Sequence, residues 1–333
     1  MLITFLLFFI SAATIYFACE FFVNGVEWLG RRLNLSATAT GSVLAAFGTA
    51  LPESAVTFIA VVFGDTPAQK DIGVGAAMGG PLVLATIAYA VVGFALLLNR
   101  RKLSKEQRYI ITVDQQRLSR DQAWFLVIFL VKAGLGLVIF SFKPWLGVLF
   151  LVAYAMFVWH ELRDDADDEE ATLDPLKIRP HDIDPTMAWV ALQTGGALIV
   201  VAIAAHTFVA QIELIGVAFG MAPHMAALLL SPIATELPEI MNALIWVKQG
   251  KERLALANIS GAMMIQATIP SALGIFFTPW LFDSPLISAA VITMLAVIAL
   301  WSLFRRGVMD SRILVSVGLL YGVFVGYVIW YFN

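Results

Sequence analysis

Ten long apolar segments account for most of this chain of 333 residues. Each is close to the roughly 20 residues that an α-helix needs to cross a bilayer. Only 14% of the residues are charged, a composition that excludes an ordinary soluble domain. The sequence therefore predicts an all-α polytopic membrane protein with ten transmembrane helices. The segments cover residues 2–29, 36–63, 71–98, 123–141, 144–160, 187–214, 222–247, 253–277, 285–304 and 313–332.

Basic residues are concentrated in one set of alternating loops. Of the 21 lysines and arginines, Lys70 and Lys143 lie in the other set, and Lys132 lies inside the fourth segment. Because basic loops face the cytoplasm, ten spans place both termini outside. For Lys132 two roles are open: its ammonium snorkels to the bilayer surface, or it pairs with an acid.

A six-residue motif occurs twice, 186 residues apart. Gly48–Glu53 reads G-T-A-L-P-E, and Ala234–Glu239 reads A-T-E-L-P-E. The same offset aligns Glu27 with Glu213 without a gap. Since five spans per half is an odd number, the halves would cross the membrane in opposite senses, as in many secondary transporters. We predict two inverted-topology five-helix repeats, with residues 1–160 in the first and 187–333 in the second.

Residues 161–186 form the polar connection between the halves and include a run of acidic residues between Asp164 and Glu170. We expect a solvated, flexible cytoplasmic linker, and the alternative is a sensor of divalent cations. The segment lacks the glycine and the terminal glutamate of an EF-hand loop.

Both motifs place a proline in the middle of a predicted span. Pro52 and Pro238 each remove one backbone hydrogen bond, so helices 2 and 7 are expected to be broken. Carbonyl groups freed at such a break can ligate a cation. Gly48 and Ala234, at the start of the two motifs, are therefore candidate ligands.

Carboxylates follow both breaks within one turn. Glu53 and Glu239, with the oxygens of Thr49 and Thr235, form a hard oxygen set that suits Ca²⁺ or Na⁺. Two carboxylates neutralise one divalent cation, and they can hold protons or monovalent ions after it leaves, which is the charge logic of an antiporter. The alternative is a structural hydrogen bond between helices with protonated carboxyl groups.

Three further residues extend this set. Glu236 is a third carboxylate, which either ligates the ion or lines the cavity without touching it. Three carboxylates this close cannot all stay ionised without cations, which favours H⁺ as the coupling ion or leaves room for another divalent ion. Asn242, one turn after Glu239, and Gln266 could add oxygens.

The two motifs resemble the alpha-repeats of the cation/calcium exchanger superfamily, which includes the sodium/calcium exchangers. Its repeats read approximately G-T-S-L-P-E and A-T-S-L-P-E, and the resemblance covers nearly the whole chain. It implies ten spans, a cytoplasmic linker, a location in the cytoplasmic membrane, and export of Ca²⁺ against Na⁺ or H⁺ by alternating access. Asn258 matches an asparagine of the family's following helix.

The departures from this family concern the ion ligands. Ala50 and Glu236 stand where the family has serines, Ala76 and Pro81 replace asparagines, and Met263 replaces an aspartate. The missing amide ligands weaken the case for the usual sodium sites.

We therefore expect a secondary cation antiporter that exports a divalent cation, with Ca²⁺ as the first candidate. A cation channel, an exchanger for Mg²⁺ or Mn²⁺, and a Na⁺/H⁺ exchanger stay open as alternatives. Enzyme activity is not expected, because neither H-E-x-x-H nor G-x-S-x-G is present. The expected partners are small inorganic cations and the bilayer, without nucleic acid or a cofactor, and the protein is expected to work as a monomer.

Overall fold

The structure is a computed structural model, and it describes residues 1–32, 50–99, 110–112, 115–164, 173–248, 250, 252–306 and 308–332. Gly48, Thr49 and the acidic run 165–170 lie outside the described residues, as does the whole first half of the second predicted span, residues 36–49. Within the described ranges the chain is almost entirely helical.

Each half of the chain contributes a series of helices. The first half contains α1 Leu2–Arg32, α2 Leu51–Val62, α3 Pro67–Val83, a π-helical turn Leu84–Ala88, α4 Tyr89–Asn99, β1 Ile110–Thr112, α5 Gln115–Leu135, a 3₁₀ turn Lys143–Leu146 and α6 Gly147–Asp164. The second contains α7 Met187–Ala218, α8 Pro223–Thr235, α9 Leu237–Lys248, α10 Glu252–Phe277, α11 Ser284–Phe304, β2 Val308–Asp310, α12 Ser311–Val317 and α13 Leu319–Phe332.

Seven helical segments of the described chain are long and apolar enough to cross a membrane, and α8 together with α9 would make an eighth. The fourth predicted segment, 123–141, was placed too far along the chain. Its helix, α5, begins in polar sequence at Gln115 and ends at Leu135, where the Gly136 amide bonds back to Lys132 O at 3.2 Å. Hydropathy marks the apolar run, whereas the glycine at position 136 marks the end of the helix.

Pro81 does not interrupt the third predicted span. The helix continues through Pro81, and the π-helical turn follows three residues later. Since proline has no backbone N–H, the hydrogen-bond ladder is disturbed here, and a π-helical turn is one way to accommodate such a disturbance. Residues 67–99 therefore run as one apolar helical segment.

Two short strands depart from the all-helical prediction. Strands β1 and β2 pair antiparallel, with Ile110 opposite Asp310 and Thr112 opposite Val308. They join the loops after α4 and α11, both of which belong to the basic set of loops. Arg312 donates to Asp310 Oδ2 at 2.7 Å, and this hydrogen bond holds the pKa of Asp310 below its ordinary value.

The helix bounds follow the sequence repeat. Adding 186 to the bounds of α2 gives those of α9, and the same shift carries α1 onto α7 to within one residue. The long helices α1 and α7 pack along each other, with Phe8 stacked on Phe208 at 4.8 Å between ring centroids. Helix α3 packs against both α2 and α8.

The second part of the connecting segment is ordered, unlike the flexible linker expected. The carbonyl of Asp174 accepts hydrogen bonds from Asn24 and Trp28 of α1, and the amide of Ile178 donates to Gln193 of α7. Helix α6 also extends to Asp164, four residues into the predicted linker. Residues 174–178 therefore rest on both long helices.

Candidate cation-binding site

The second motif forms a bend between two helices. Glu236 separates α8 from α9, and the axes of Pro223–Thr235 and Glu239–Lys248 differ by 43°. The Glu236 amide still donates to Pro232 O at 3.1 Å. Because Pro238 has no N–H, the carbonyl of buried Ala234 loses its usual helical donor. The bend therefore places one freed carbonyl and one carboxylate at the same point.

The Glu236 carboxylate is held by two donors. Its Oε2 accepts from Gln266 Nε2 at 2.7 Å, and its Oε1 accepts from Thr235 Oγ1 at 2.8 Å. All three side chains are almost fully buried. Since a carboxylate accepts these bonds in a fixed direction, Glu236 is the oriented member of the group. Gln266 Oε1 has no donor within the described residues.

Glu53 and Glu239 are buried without donors. Glu53, in the first turn of α2, is 1% exposed, and Glu239, in the first turn of α9, is 0% exposed. In the part of the chain that the structure describes, none of their four carboxyl oxygens accepts a hydrogen bond. A buried carboxyl group without a partner is costly unless an ion or a proton compensates it.

The three carboxylates act on one another. Glu53 lies close enough to Glu236 and Glu239 for the charges of the three carboxyl groups to interact. Two carboxylates offer only acceptors to each other, so a proton shared between them would be needed to join them. The sequence repeat therefore brings Glu53 of one half next to Glu236 and Glu239 of the other.

Gly80 of α3 lies against this group. A Cβ atom on Gly80 would collide with Glu53 Oε2 and would stand 2.8 Å from Gln266 Oε1. Helix α3 thus contributes backbone, not a side-chain ligand, at this point. The close approach of α2, α3 and α10 depends on this glycine.

Lys132 of α5 is a buried cation that acts on Glu53. It is 0% exposed, and its Nζ donates to Ala77 O at 2.9 Å. The prediction that it snorkels to the surface is wrong, because the ammonium turns inward to a backbone carbonyl. Its charge acts on Glu53.

The other predicted ligands form no hydrogen bond to this group within the described residues. Asn258 shares α10 with Gln266 but is eight residues earlier, about 12 Å along the helix. Its Nδ2 has no hydrogen-bond partner among the described residues. Asn242 is half-buried on α9, and it forms no hydrogen bond to the three carboxylates there. Gly48 and Thr49 lie outside the described residues.

Three buried hydroxyl groups were not predicted from the sequence. Ser54 and Thr57 on α2 and Ser231 on α8 have side-chain oxygens without a hydrogen-bond partner in the described chain. The signal for Thr57 was its position four residues after Glu53, on the same helical face. These hydroxyls are further hard oxygens close in sequence to the two motifs.

The described residues contain no group of three acidic, histidine or cysteine side chains arranged like a resident metal centre. Amide, hydroxyl and carbonyl oxygens would have to complete the shell of a bound cation, as they do in many Ca²⁺ sites. The buried oxygens without donors at Glu53, Glu239 and Gln266 are the kind of hard ligands that a cation could take.

A separate cavity of about 270 Å³ lies away from the three carboxylates. Asp71, His224 and Asp283 line it together with Trp280, and His224 Nε2 is 2.7 Å from Asp283 Oδ2. Its walls come from the start of α3, the start of α8 and the loop before α11. These chain positions neighbour the loops that are poor in basic residues.

Comparison with known proteins identifies the family. The family model described as sodium/calcium exchanger protein matches residues 3–162 and 189–332. The chain belongs to this family. Members of the sodium/calcium exchanger family are transporters and not enzymes, so the protein is an integral, multi-pass membrane transporter of the antiporter type.

Two relatives support the family assignment along most of the chain. The putative antiporter CaxA of Alkalimonas amylolytica is 26% identical over 286 residues, which cover 83% of this chain and 81% of that protein. The inner membrane protein YrbG of Escherichia coli K12 is 24% identical over an alignment of length 341, which covers 99% of this chain and 96% of that protein.

Solved structures of exchangers share the fold. The crystal structure of the H⁺/Ca²⁺ exchanger CAX aligns with a TM-score of 0.74 at 15% identity, covering 96% of this chain and 81% of that one. The sodium-calcium exchanger NCX_Mj aligns with a TM-score of 0.60 at 19% identity, covering 98% of both chains. At these identities the likeness concerns the fold alone.

Proposed function

We propose that this sodium/calcium exchanger family member is a secondary antiporter that exports a divalent cation, preferentially Ca²⁺, in exchange for H⁺ or Na⁺. The observation that carries the proposal is the meeting of Glu53, Glu236 and Glu239 from the two halves of the chain, all buried and two of them without donors. Buried charge of this kind in a membrane protein marks an ion pathway.

The proposed binding residues are those of the two motifs and their neighbours. The carboxylates of Glu53, Glu236 and Glu239 supply charge, and Gln266 supplies an amide oxygen. The hydroxyl groups of Thr49 and Thr235 add neutral oxygens. The carbonyls of Gly48 and Ala234, which Pro52 and Pro238 deprive of donors, complete the set. Asn242 and Asn258 are proposed as further oxygen ligands of the ion.

The coupling ion is assigned to H⁺ in preference to Na⁺. The proximity of the Glu53 and Glu236 carboxyl groups supports this choice, because a proton held between them would stabilise the site after the divalent cation leaves. The absence of amide ligands at Ala76 and Pro81 also reduces the set of neutral oxygens that Na⁺ would need.

We assign the chain ten spans in two inverted repeats, residues 1–160 and 187–333, with helices 2 and 7 broken and residues 161–186 as the cytoplasmic linker. The 186-residue shift between α2 and α9 supports the repeat, and the family model leaves a gap between 162 and 189 where the linker is placed. Pairing of β1 with β2 supports one common side for the two basic loops. Both termini are assigned to the outside of the cytoplasmic membrane, and the working unit is a monomer.

Replacement of the carboxylates by amides tests the site. Glu53→Gln and Glu239→Gln are each expected to lower Ca²⁺ flux in proteoliposomes at least about 100-fold. Each change removes a negative charge that would balance the charge of the bound cation. The matched control is Glu27→Gln on α1, which lies outside the site and is expected to retain flux. Normal flux in both site variants, with protein amounts equal, would refute the assignment.

A further inference from the structure

The proline in α3 leaves a carbonyl without its helical donor. In an α-helix the carbonyl of residue 77 accepts from the amide of residue 81. Residue 81 is proline and has no amide hydrogen. The Lys132 ammonium of α5 occupies this position instead, with Nζ 2.9 Å from Ala77 O. One cation is therefore already bound to a proline-freed carbonyl, the type of group proposed as a cation ligand at Gly48 and Ala234.

This cation is built into the protein close to the ion site. Lys132 is 0% exposed, its Nζ lies 4.9 Å from the centroid of the Phe129 ring, and Glu53 is the ionisable group whose charge acts on it. Ala77 is one helical turn before Gly80, and Gly80 touches Glu53. The ammonium is thus held at Ala77, within reach of the Glu53 charge.

The charges at the site give a simple balance. Glu53, Glu236 and Glu239 together carry three negative charges when ionised, and Lys132 contributes one positive charge. The sum is two negative charges, which one divalent cation or two monovalent cations neutralise. Without Lys132, three positive charges would be needed to neutralise the same site.

We propose that Lys132 is a tethered cation of the transport site. Its positive charge offsets the additional carboxylate Glu236, so that the transported cations carry a total charge of two. The inference rests on the proposed function, since it concerns the charge balance of that same site. Lys132 acts through the electric field at Glu53 and is a positioning residue, not a ligand.

A purely structural role makes a different prediction. If Lys132 only satisfies the Ala77 carbonyl, its removal leaves that carbonyl without a donor and lowers stability, with no gain in cation affinity. If it is a tethered cation, its removal takes away a positive charge that repels the incoming ion. The affinity for Ca²⁺ then rises, a change that structural damage does not produce.

The experiment is isothermal titration of Ca²⁺ into the full-length purified protein and its variants at one pH and ionic strength. Lys132→Met is expected to lower the Kd roughly tenfold or more, and Lys132→Arg, which keeps the charge, to leave it within about threefold. Glu236→Gln is expected to raise the Kd, and the Lys132→Met, Glu236→Gln double variant to bind more tightly than Glu236→Gln alone. The inference would be overturned by an unchanged or higher Kd when Lys132→Met is compared with the wild type, or when the double variant is compared with Glu236→Gln.

Two further variants keep the test decisive. Where Lys132→Met alone does not fold, Pro81→Ala added to it gives the Ala77 carbonyl a helical amide donor, and the Kd is compared with that of Pro81→Ala.

Wild-type protein that neither binds nor moves a divalent cation would refute the proposed function itself. Wild-type protein that binds Ca²⁺ while Lys132→Met binds no more tightly would refute the role of Lys132 alone.

Discussion

At the scale of single residues, the site depends on close approach as much as on charge. Glu236 is oriented by Gln266 and Thr235, whereas Glu53 and Glu239 have no donors in the described chain. Gly80 permits α3 to lie directly against Glu53. Glu236 is thus held in place by protein donors, while Glu53 and Glu239 can interact with an ion. Such a site can bind an ion and release it, because two of its three carboxylates are not engaged by protein donors.

Gly80→Ala is predicted to impair transport by steric overlap. The added Cβ would collide with the Glu53 carboxylate, so Ca²⁺ flux should fall at least about tenfold, although alanine ordinarily stabilises a helix by roughly 0.5–1 kcal/mol relative to glycine. Gly322→Ala on α13 is the control, since its Cβ meets nothing within 4 Å. Flux assays of both variants in proteoliposomes check this prediction, and equal flux in the two would contradict it.

At the scale of elements, the segment at 174–178 joins the two long helices. Asn24 of α1 accepts from the Lys177 amide at 3.0 Å, and Gln193 of α7 donates both to Asn24 Oδ1 and to Phe21 O. Gln193 is 3% exposed and Asn24 is 4% exposed. These bonds fasten the connection between the halves to the helices that the repeat relates.

Removing these side chains is predicted to release the segment. In Asn24→Ala and Gln193→Ala the amides of Lys177 and Ile178 lose their acceptors, so they should exchange with deuterium at least about tenfold faster, because a buried hydrogen bond contributes roughly 1 kcal/mol or more. Thr207→Ala on α7 is the control, since its hydroxyl bonds only within its own helix. Unchanged protection at both amides would show that other contacts hold the segment.

At the scale of the whole molecule, the arrangement of the loops in the membrane is open to a direct test. If the basic loops face the cytoplasm, Arg306→Cys should be protected from a membrane-impermeant maleimide in intact cells, and Asp65→Cys should react. Both side chains are exposed, and the native Cys19 is buried. The proposed orientation would be contradicted if Arg306→Cys reacted in intact cells and Asp65→Cys did not. It would also be contradicted if both positions reacted only after the cells were opened.

Sequence patterns predicted the elements that follow hydropathy and the repeat. The positions of α1, α7, α2 and α9 all agree with them, and the carboxylates of both motifs are buried as intramembrane charge requires. Contacts between side chains of different helices could not be predicted from these sequence patterns. The bond between Gln266 and Glu236 joins helices 30 residues apart, and the inward turn of Lys132 depends on a carbonyl freed by Pro81 on another helix. The β1–β2 pair has no periodic signal, because each strand has three residues.

The most direct test of the central claim is uphill Ca²⁺ movement in proteoliposomes under imposed ion gradients. Antiport through the three carboxylates predicts saturable Ca²⁺ flux that a pH gradient drives in the absence of Na⁺ and that is lost in Glu53→Gln. Flux driven by Na⁺ at clamped pH, without any response to pH, would reassign the coupling ion. Ca²⁺ flux that needs no counter-ion and does not saturate would contradict the antiporter and indicate a channel.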